Sequence, residues 1–169
     1  MRLNRFTDYA VRVLMTAAAR APQRVTVDEV SRLFGISRHH LTRVVHRLGQ
    51  MGYLATVRGV GGGFTLGQPA DRIRLGRVVR QCEGHASVID CMDDPGRPCC
   101  LLPGCRLKRA LDEGTEAFFE TLDRYTLADL VVSTTAATLR RTLPDAPAPR
   151  RQQAARRRTT PAQKGSGSR

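Results

Sequence analysis

No apolar run in this chain of 169 residues approaches the ~20 residues that a membrane-spanning helix needs. A helical membrane protein is therefore not expected, and no apolar signal peptide is visible. A Cys-x-x-Cys pair is missing too, which counts against a thiol oxidoreductase or electron carrier. The glycine-rich run at 59–63 lacks a Gly-Lys-Ser/Thr ending and a strand–loop–helix setting, so it is not a P-loop. No serine or acid pairs with the histidines in a hydrolase motif, and no internal repeat is visible. An enzyme is not expected. Acidic side chains are scarce in the front half: residues 1–80 carry 14 basic and 4 acidic groups, net +10. Residues 81–143 carry 7 and 10, and residues 144–169 carry 7 and 1. The total is +13. A basic front half followed by a mildly acidic middle suggests a polyanion-binding module joined to something else.

Four of the five cysteines fall between Cys91 and Cys105, as Cys91, Cys99, Cys100 and Cys105. Pro95, Pro98, Pro103, Gly96 and Gly104 break any regular element there, so the stretch is expected to be a shaped loop that gathers thiols. Disulfides fit poorly with an odd cysteine count and the reducing cytosol suggested by the composition. Structural zinc usually takes two close ligand pairs, and Cys99-Cys100 is the only close pair here. Inert buried thiols are ill suited to a polar Pro/Gly-rich loop. Iron–sulfur ligation by spaced thiolates suits the composition best, with zinc second. Cys82 lies outside the loop and reads as core; His85 reads as a surface histidine.

Along the chain, Phe6, Ala10, Val13, Leu14 and Ala17 predict a helix from about Thr7 to Arg20, with Asp8 as a first-turn carboxylate favoured by the helix dipole. Thr26-Val-Asp-Glu29 is a capping-box pattern that opens a short helix stopped at Gly35. Ser37 then caps a third helix with Leu41, Val44, Val45 and Leu48 facing inward. Helix, short turn, helix is the helix-turn-helix arrangement. The outer face of the third helix shows Ser37, Arg38, His39, His40, Thr42, Arg43, His46 and Arg47, donor-rich and without an acid. That face points to major-groove recognition. Two β-rich runs, 53–58 and 64–66, flank the glycines and predict a hairpin, which in this position is a wing. Arg58, Gly61 and Gly62 are its candidate DNA contacts, to phosphates or the minor groove.

Leu75 to Glu83 predicts a short helix. Leu107, Ala110, Leu111, Phe118 and Leu122 mark a long amphipathic helix from about Cys105 to Arg124, suited to pairing with its own copy on a palindromic operator. Thr126 is expected to cap a last helix ending near Leu139. From Pro144 onward the composition predicts a disordered basic tail. The fold class is mainly α with a small β-wing. Expected parts are a winged helix-turn-helix domain (1–83), a cluster loop (84–106), a dimerisation helix with a C-terminal helix (107–140) and the tail (141–169).

Residues 1–132 resemble the NsrR-type nitric-oxide-sensing repressors, iron–sulfur winged-helix regulators related to IscR. The resemblance rests on the opening Met1-to-Ala10 run, on Ile36-to-Leu54, on Gly61-Gly-Gly-Phe64, on Cys91-x7-Cys99-x5-Cys105 and on Thr126-to-Leu130. It implies cluster ligation by Cys91, Cys99 and Cys105, with Asp8 as a fourth ligand given by the partner subunit of a homodimer. A carboxylate on one iron would be a labile site, more open to nitric oxide than a full thiolate set. Cys100 is a departure; Cys99 is taken as the ligand because its spacing to Cys105 fits the family. The implied cluster is 4Fe-4S, with 2Fe-2S as the alternative. The implied protein is a cytoplasmic, nucleoid-associated repressor that leaves a double-stranded operator when nitric oxide arrives. A sensor of iron, redox or cluster status, like IscR, is the alternative.

Overall fold

The first helix, α1 (Arg5–Arg20), is the spine of the fold. It begins two residues earlier than the apolar spacing suggested, because Asn4 caps it: the Asn4 side chain accepts the Thr7 N–H at 2.8 Å. Ala10, Val13, Leu14 and Ala17 are fully or almost fully buried on one face of it. The structure, a computed structural model, describes residues 3–59, 61–84, 99–101 and 104–143. Cys91, His85 and the predicted tail lie outside them.

The capping box of α2 (Val27–Phe34) forms as its sequence specifies, with Thr26 and Glu29 bonded reciprocally. Glu29 is buried and also accepts from Arg20 on α1 at 3.1 Å, so the cap doubles as an interhelical tie. Gly35 closes α2 at φ +64°, a left-handed position that suits glycine. Ser37 caps α3 (Arg38–Gln50), whose Leu41, Val44, Val45 and Leu48 pack inward. Strands β1 (Leu54–Val57) and β2 (Gly63–Leu66) form the antiparallel hairpin, in register Leu54↔Leu66 to Val57↔Gly63. Val25 bridges to Phe64, tying the α1–α2 connection to the hairpin. Phe64 is the largest fully buried side chain among those described.

After a 3-10 turn (Ala70–Arg72) comes α4 (Leu75–Glu83), with the bounds its sequence predicted. The long helix α5 (Arg106–Asp123) crosses α4 closely. Gly76 permits this approach: a Cβ there would lie 2.5 Å from both the Phe119 carbonyl oxygen and Asp123 Oδ1. Arg80 completes the contact, 4.5 Å over the Phe119 ring and 2.7 Å from Glu116. Phe119 is the one buried side chain of α5, not the expected Phe118. Leu107 and Ala110 of the predicted stripe are exposed, while Leu111, Phe118 and Leu122 are half-covered.

The last predicted helix is two. Helix α6 (Leu127–Leu130) ends at Val131, and α7 (Ser133–Thr142) begins two residues further on. Two β-branched residues in succession, Val131 and Val132, disfavour continuation. Tertiary pairing also pins α6: Leu127 N–H donates to Ile73 O at 2.8 Å and Leu75 N–H to Tyr125 O at 2.9 Å. Leu127 joins the main core, while Ala136 and Leu139 of α7 pack on Ala19 of α1.

Candidate DNA-reading face and metal-ligating residues

Helix α3 is held from behind by its four buried aliphatic residues, which leaves the opposite face in solvent. Ser37, Arg38, His39, His40, Thr42, Arg43, His46 and Arg47 are all exposed there, as the sequence predicted. Three carry internal bonds: the Ser37 hydroxyl oxygen accepts the His40 N–H at 3.4 Å as the cap of α3. Arg38 Nε lies 2.7 Å from Asp28 Oδ1 at the start of α2, a largely exposed ion pair between the two helices. Thr42 donates its hydroxyl proton to Arg38 O at 2.8 Å, so its methyl and oxygen lone pairs face outward. The His40 ring sits between those of Tyr9 (6.3 Å) and His39 (6.0 Å).

At the wing, Arg58 is exposed at the end of β1. Gly61 has φ +76°, and its carbonyl accepts from Arg24 Nη1 at 3.3 Å. The Gly62 N–H donates to Gly59 O at 2.9 Å, and a Cβ on Gly62 would meet Val57 O at 2.5 Å. These two glycines are thus required by the turn itself, whatever they touch outside it.

The predicted ligands are spread over two places. Asp8, in the first turn of α1, pairs with Arg12 Nε at 2.9 Å; both side chains are about two-fifths exposed, and the Arg12 guanidinium lies 5.4 Å from the Phe34 ring centre. Cys99 is half-buried and its neighbour Cys100 exposed. Cys105 is the N-cap of α5, and its Sγ accepts the Lys108 N–H at 3.4 Å. A hydrogen bond to sulfur from a helix N-terminus is the kind of contact that tunes a cluster thiolate. Cys105 at the mouth of a helix, with Cys99 and Cys100 shortly before it in the chain, fits an iron–sulfur cluster in the chemistry of its donors. Among the described residues, however, no three His, Cys, Asp or Glu side chains gather around a metal-sized space. Cys82 is different in kind: it packs against the core, and burial, with Glu83 adding to it, pushes its thiol up to about 11.

A joint that the sequence did not disclose ties the start of α1 to the end of α4. Glu83, the last residue of α4, takes the Asn4 backbone N–H at 3.0 Å and the Asn4 side-chain amide at 3.1 Å. The start of the Asp8 helix is thereby tied to the point where the chain leaves for the cysteine segment. The same joint borders an open cleft of about 410 Å³, with Arg43, His46 and Arg47 of α3 on one wall and Cys82, Glu83 and Gly84 on the other. Asn4 is a residue type that favours helix caps, a local signal that the apolar spacing passed over; its partner 79 residues away leaves no local signal.

A helix-turn-helix with an exposed basic second helix, followed by a two-stranded wing, defines a winged-helix DNA-binding protein. Similarity to known proteins narrows the class. Residues 3–133 match the Rrf2 family, described as iron-dependent transcriptional regulators. The HTH-type transcriptional regulators NsrR of Bacillus subtilis and Geobacillus kaustophilus are 41% and 42% identical over 132 residues, covering 78% of this chain and 90% of each relative. Among solved structures, T. potens IscR superposes with TM-score 0.62 at 21% identity, covering 81% of this chain and 90% of that one. Oxidised Staphylococcus aureus CymR gives 0.61 at 22%, covering 78% and 97%. The chain belongs to the Rrf2 family and is a transcriptional regulator, not an enzyme. No helix among the described residues is long and apolar enough to cross a membrane.

Proposed function

We propose that this regulator is a homodimeric repressor whose grip on a palindromic operator is set by an iron–sulfur cluster that responds to nitric oxide. The proposed ligands are Cys91, Cys99 and Cys105 of one chain and Asp8 of the other, around a 4Fe-4S cluster. The cytoplasm, in contact with the nucleoid, is the proposed location. When bound, the cluster supplies a labile iron at which nitric oxide can react. Everything else is work for the chain. Cys99 is favoured over Cys100 by its burial. The Asp8 carboxylate must exchange its exposed pairing with Arg12 for a metal, a small cost for a half-solvated ion pair. The uncovered Leu107 on α5 is where a second copy of the helix would pack.

The joint between Asn4 and Glu83 carries the reading. A shift at Asp8 or at the end of α4 would act on that joint, and α1, which packs on both α3 and α4, would pass it to the helix carrying Arg43, His46 and Arg47. Coupling of ten- to a hundredfold in operator affinity needs only about 1.4–2.8 kcal/mol. The test is a titration of anaerobically purified protein with nitric oxide, following visible absorption and operator retention together. Both signals should fall in parallel. Operator binding that persists after the absorption is lost would refute the coupling. The exposed Cys100 beside Cys99 favours a second reading, a redox- or iron-status sensor. Peroxide and chelator, in place of nitric oxide, separate the two.

A further inference from the structure

Gly59, Gly61, Gly62 and Gly63 give the described part of the wing turn no side chain of its own. The close approaches there need glycine: a Cβ on Gly62 would meet Gly59 O at 2.8 Å, and one on Gly63 would meet Val25 O at 2.7 Å. The second approach arises because Val25 acts as a third strand. Its N–H donates to Phe64 O at 2.9 Å, and the Phe64 N–H donates to Val25 O at 2.8 Å. The connection between α1 and α2 thus borders β2 on the edge that β1 leaves open. Arg24, the residue before Val25, is exposed there, with its Cβ 3.5 Å from where a Gly63 Cβ would stand. Its Nη1 reaches on to the Gly61 carbonyl at 3.3 Å, 37 residues away in the chain.

The partner distinguishes Arg24 from other tied arginines of the head. Arg12, Arg20, Arg38 and Arg80 each hold a carboxylate. Arg24 holds a neutral carbonyl, and among the described residues no carboxylate pairs with it. Its charge is therefore not neutralised, and the guanidinium N–H groups not used on Gly61 stay available. A side chain already anchored at one nitrogen has given up rotamer freedom before a ligand arrives, so less is lost on docking. The hairpin is in turn rooted on α3, where the Tyr53 N–H donates to Leu48 O at 3.0 Å. A cation fixed to the turn is thus fixed relative to the reading helix.

We propose that Arg24 is a phosphate-contacting and positioning residue of the head: it holds the wing turn through the Gly61 carbonyl and gives the open edge of its guanidinium to the DNA backbone. A phosphodiester oxygen is the acceptor that suits it, being anionic, accessible and matched to paired N–H donors. The contact carries no base information. The proposal rests on the DNA-binding role of the winged helix and not on the cluster. One phosphate neutralised per docked head steepens the fall of log affinity with log salt by ~0.9. Across a roughly fourfold change in salt that slope is worth about 3.5-fold in affinity.

The test measures affinity for a random-sequence DNA duplex between about 50 and about 200 mM salt, with the unaltered chain and full-length Arg24→Gln, Arg24→Lys and Arg58→Gln. Arg24→Gln should bind more weakly, with a slope shallower by ~0.9 per head, so its deficit should shrink about 3.5-fold across that range. Arg24→Lys keeps the charge and should keep the slope. Both should melt with the unaltered chain, since residue 24 is exposed. An Arg24→Gln deficit equal at every salt concentration would overturn the proposal, because a loosened turn and not a lost phosphate contact would then be acting. So would a lysine variant with the glutamine slope. A shallower slope for Arg58→Gln beside an unchanged one for Arg24→Gln would keep the wing on DNA and remove Arg24 from it. Unchanged slopes for both would take the wing itself off the duplex, and Arg24 with it.

Discussion

Helix α3 buries four of its 13 residues within its own chain; α5 buries one of 18. The head, from α1 to α4, closes a continuous core around Phe64, Leu14, Leu41, Leu48 and Ile73. The cysteine-bearing end does the reverse. Among the described residues its helix is clasped through its second half, by Phe119, Glu116 and Asp123, and presents Leu107 at 58% exposure near the capping Cys105. One region is complete in a single chain. The other, on the proposed reading, is completed by a second copy and a cluster. The contrast places most of the single-chain stability in the head; the proposed function places sensing in the region that the head leaves less covered.

Breaking the head should cost most. Phe64→Ala removes the largest fully buried side chain among the described residues and is expected to lower unfolding free energy by about 3–5 kcal/mol in denaturant melts. Glu29→Ala takes the carboxylate from Arg20 and opens the α2 cap; about 3–4 kcal/mol is expected by the same assay. Arg43→Ala should leave melting unchanged and weaken operator binding by about 1–3 kcal/mol, read by titration against the operator and a scrambled duplex. An equal loss on both duplexes would make Arg43 a phosphate contact. On the other side of the contrast, Leu107→Ala should shift single-chain stability by less than about 0.5 kcal/mol yet raise the dimer dissociation constant in sedimentation.

The smallest effect concerns protonation. The folded Cys82 thiol sits near 11, above its ordinary value of 9.0, so it favours folding below about 9 and that contribution fades as pH rises towards 11. At neutral pH Cys82 should therefore be alkylated far more slowly than the exposed Cys100. Equal rates in the folded protein would mean that the core around Cys82 opens easily.

Elements were legible where the signal is local. Thr26 with Glu29, Ser37 before α3, and the glycines between two β-rich runs each fix a start, a stop or a turn within a few residues. The reading face of α3 was equally plain, because a helix with four inward aliphatics can expose only its other residues. The features that escaped depend on partners distant in sequence. The choice of Phe119 over Phe118 follows from Gly76 and Arg80. The break between α6 and α7 has a local cause, Val131 and Val132, and a distant one, the pairing of Leu127 with Ile73 that pins the start of α6. The Asn4–Glu83 joint spans most of the head. As for the ligands, Asp8 stands in the structure as half of an ordinary helical ion pair with Arg12, so neither local pattern nor single-chain geometry marks it.

The central claim is that the metal site is completed between two chains, and mixed dimers test it most directly. One chain carries Asp8→Ala and the other Cys105→Ala, the two co-expressed with different tags and isolated together without oxygen. If the carboxylate comes from the partner, one of the two sites regains every ligand, and the mixed dimer should hold about half the wild-type iron and sulfide with the wild-type response to nitric oxide. Mixed dimers no richer in cluster, and no closer to wild type in that response, than the two single-variant dimers would contradict the account.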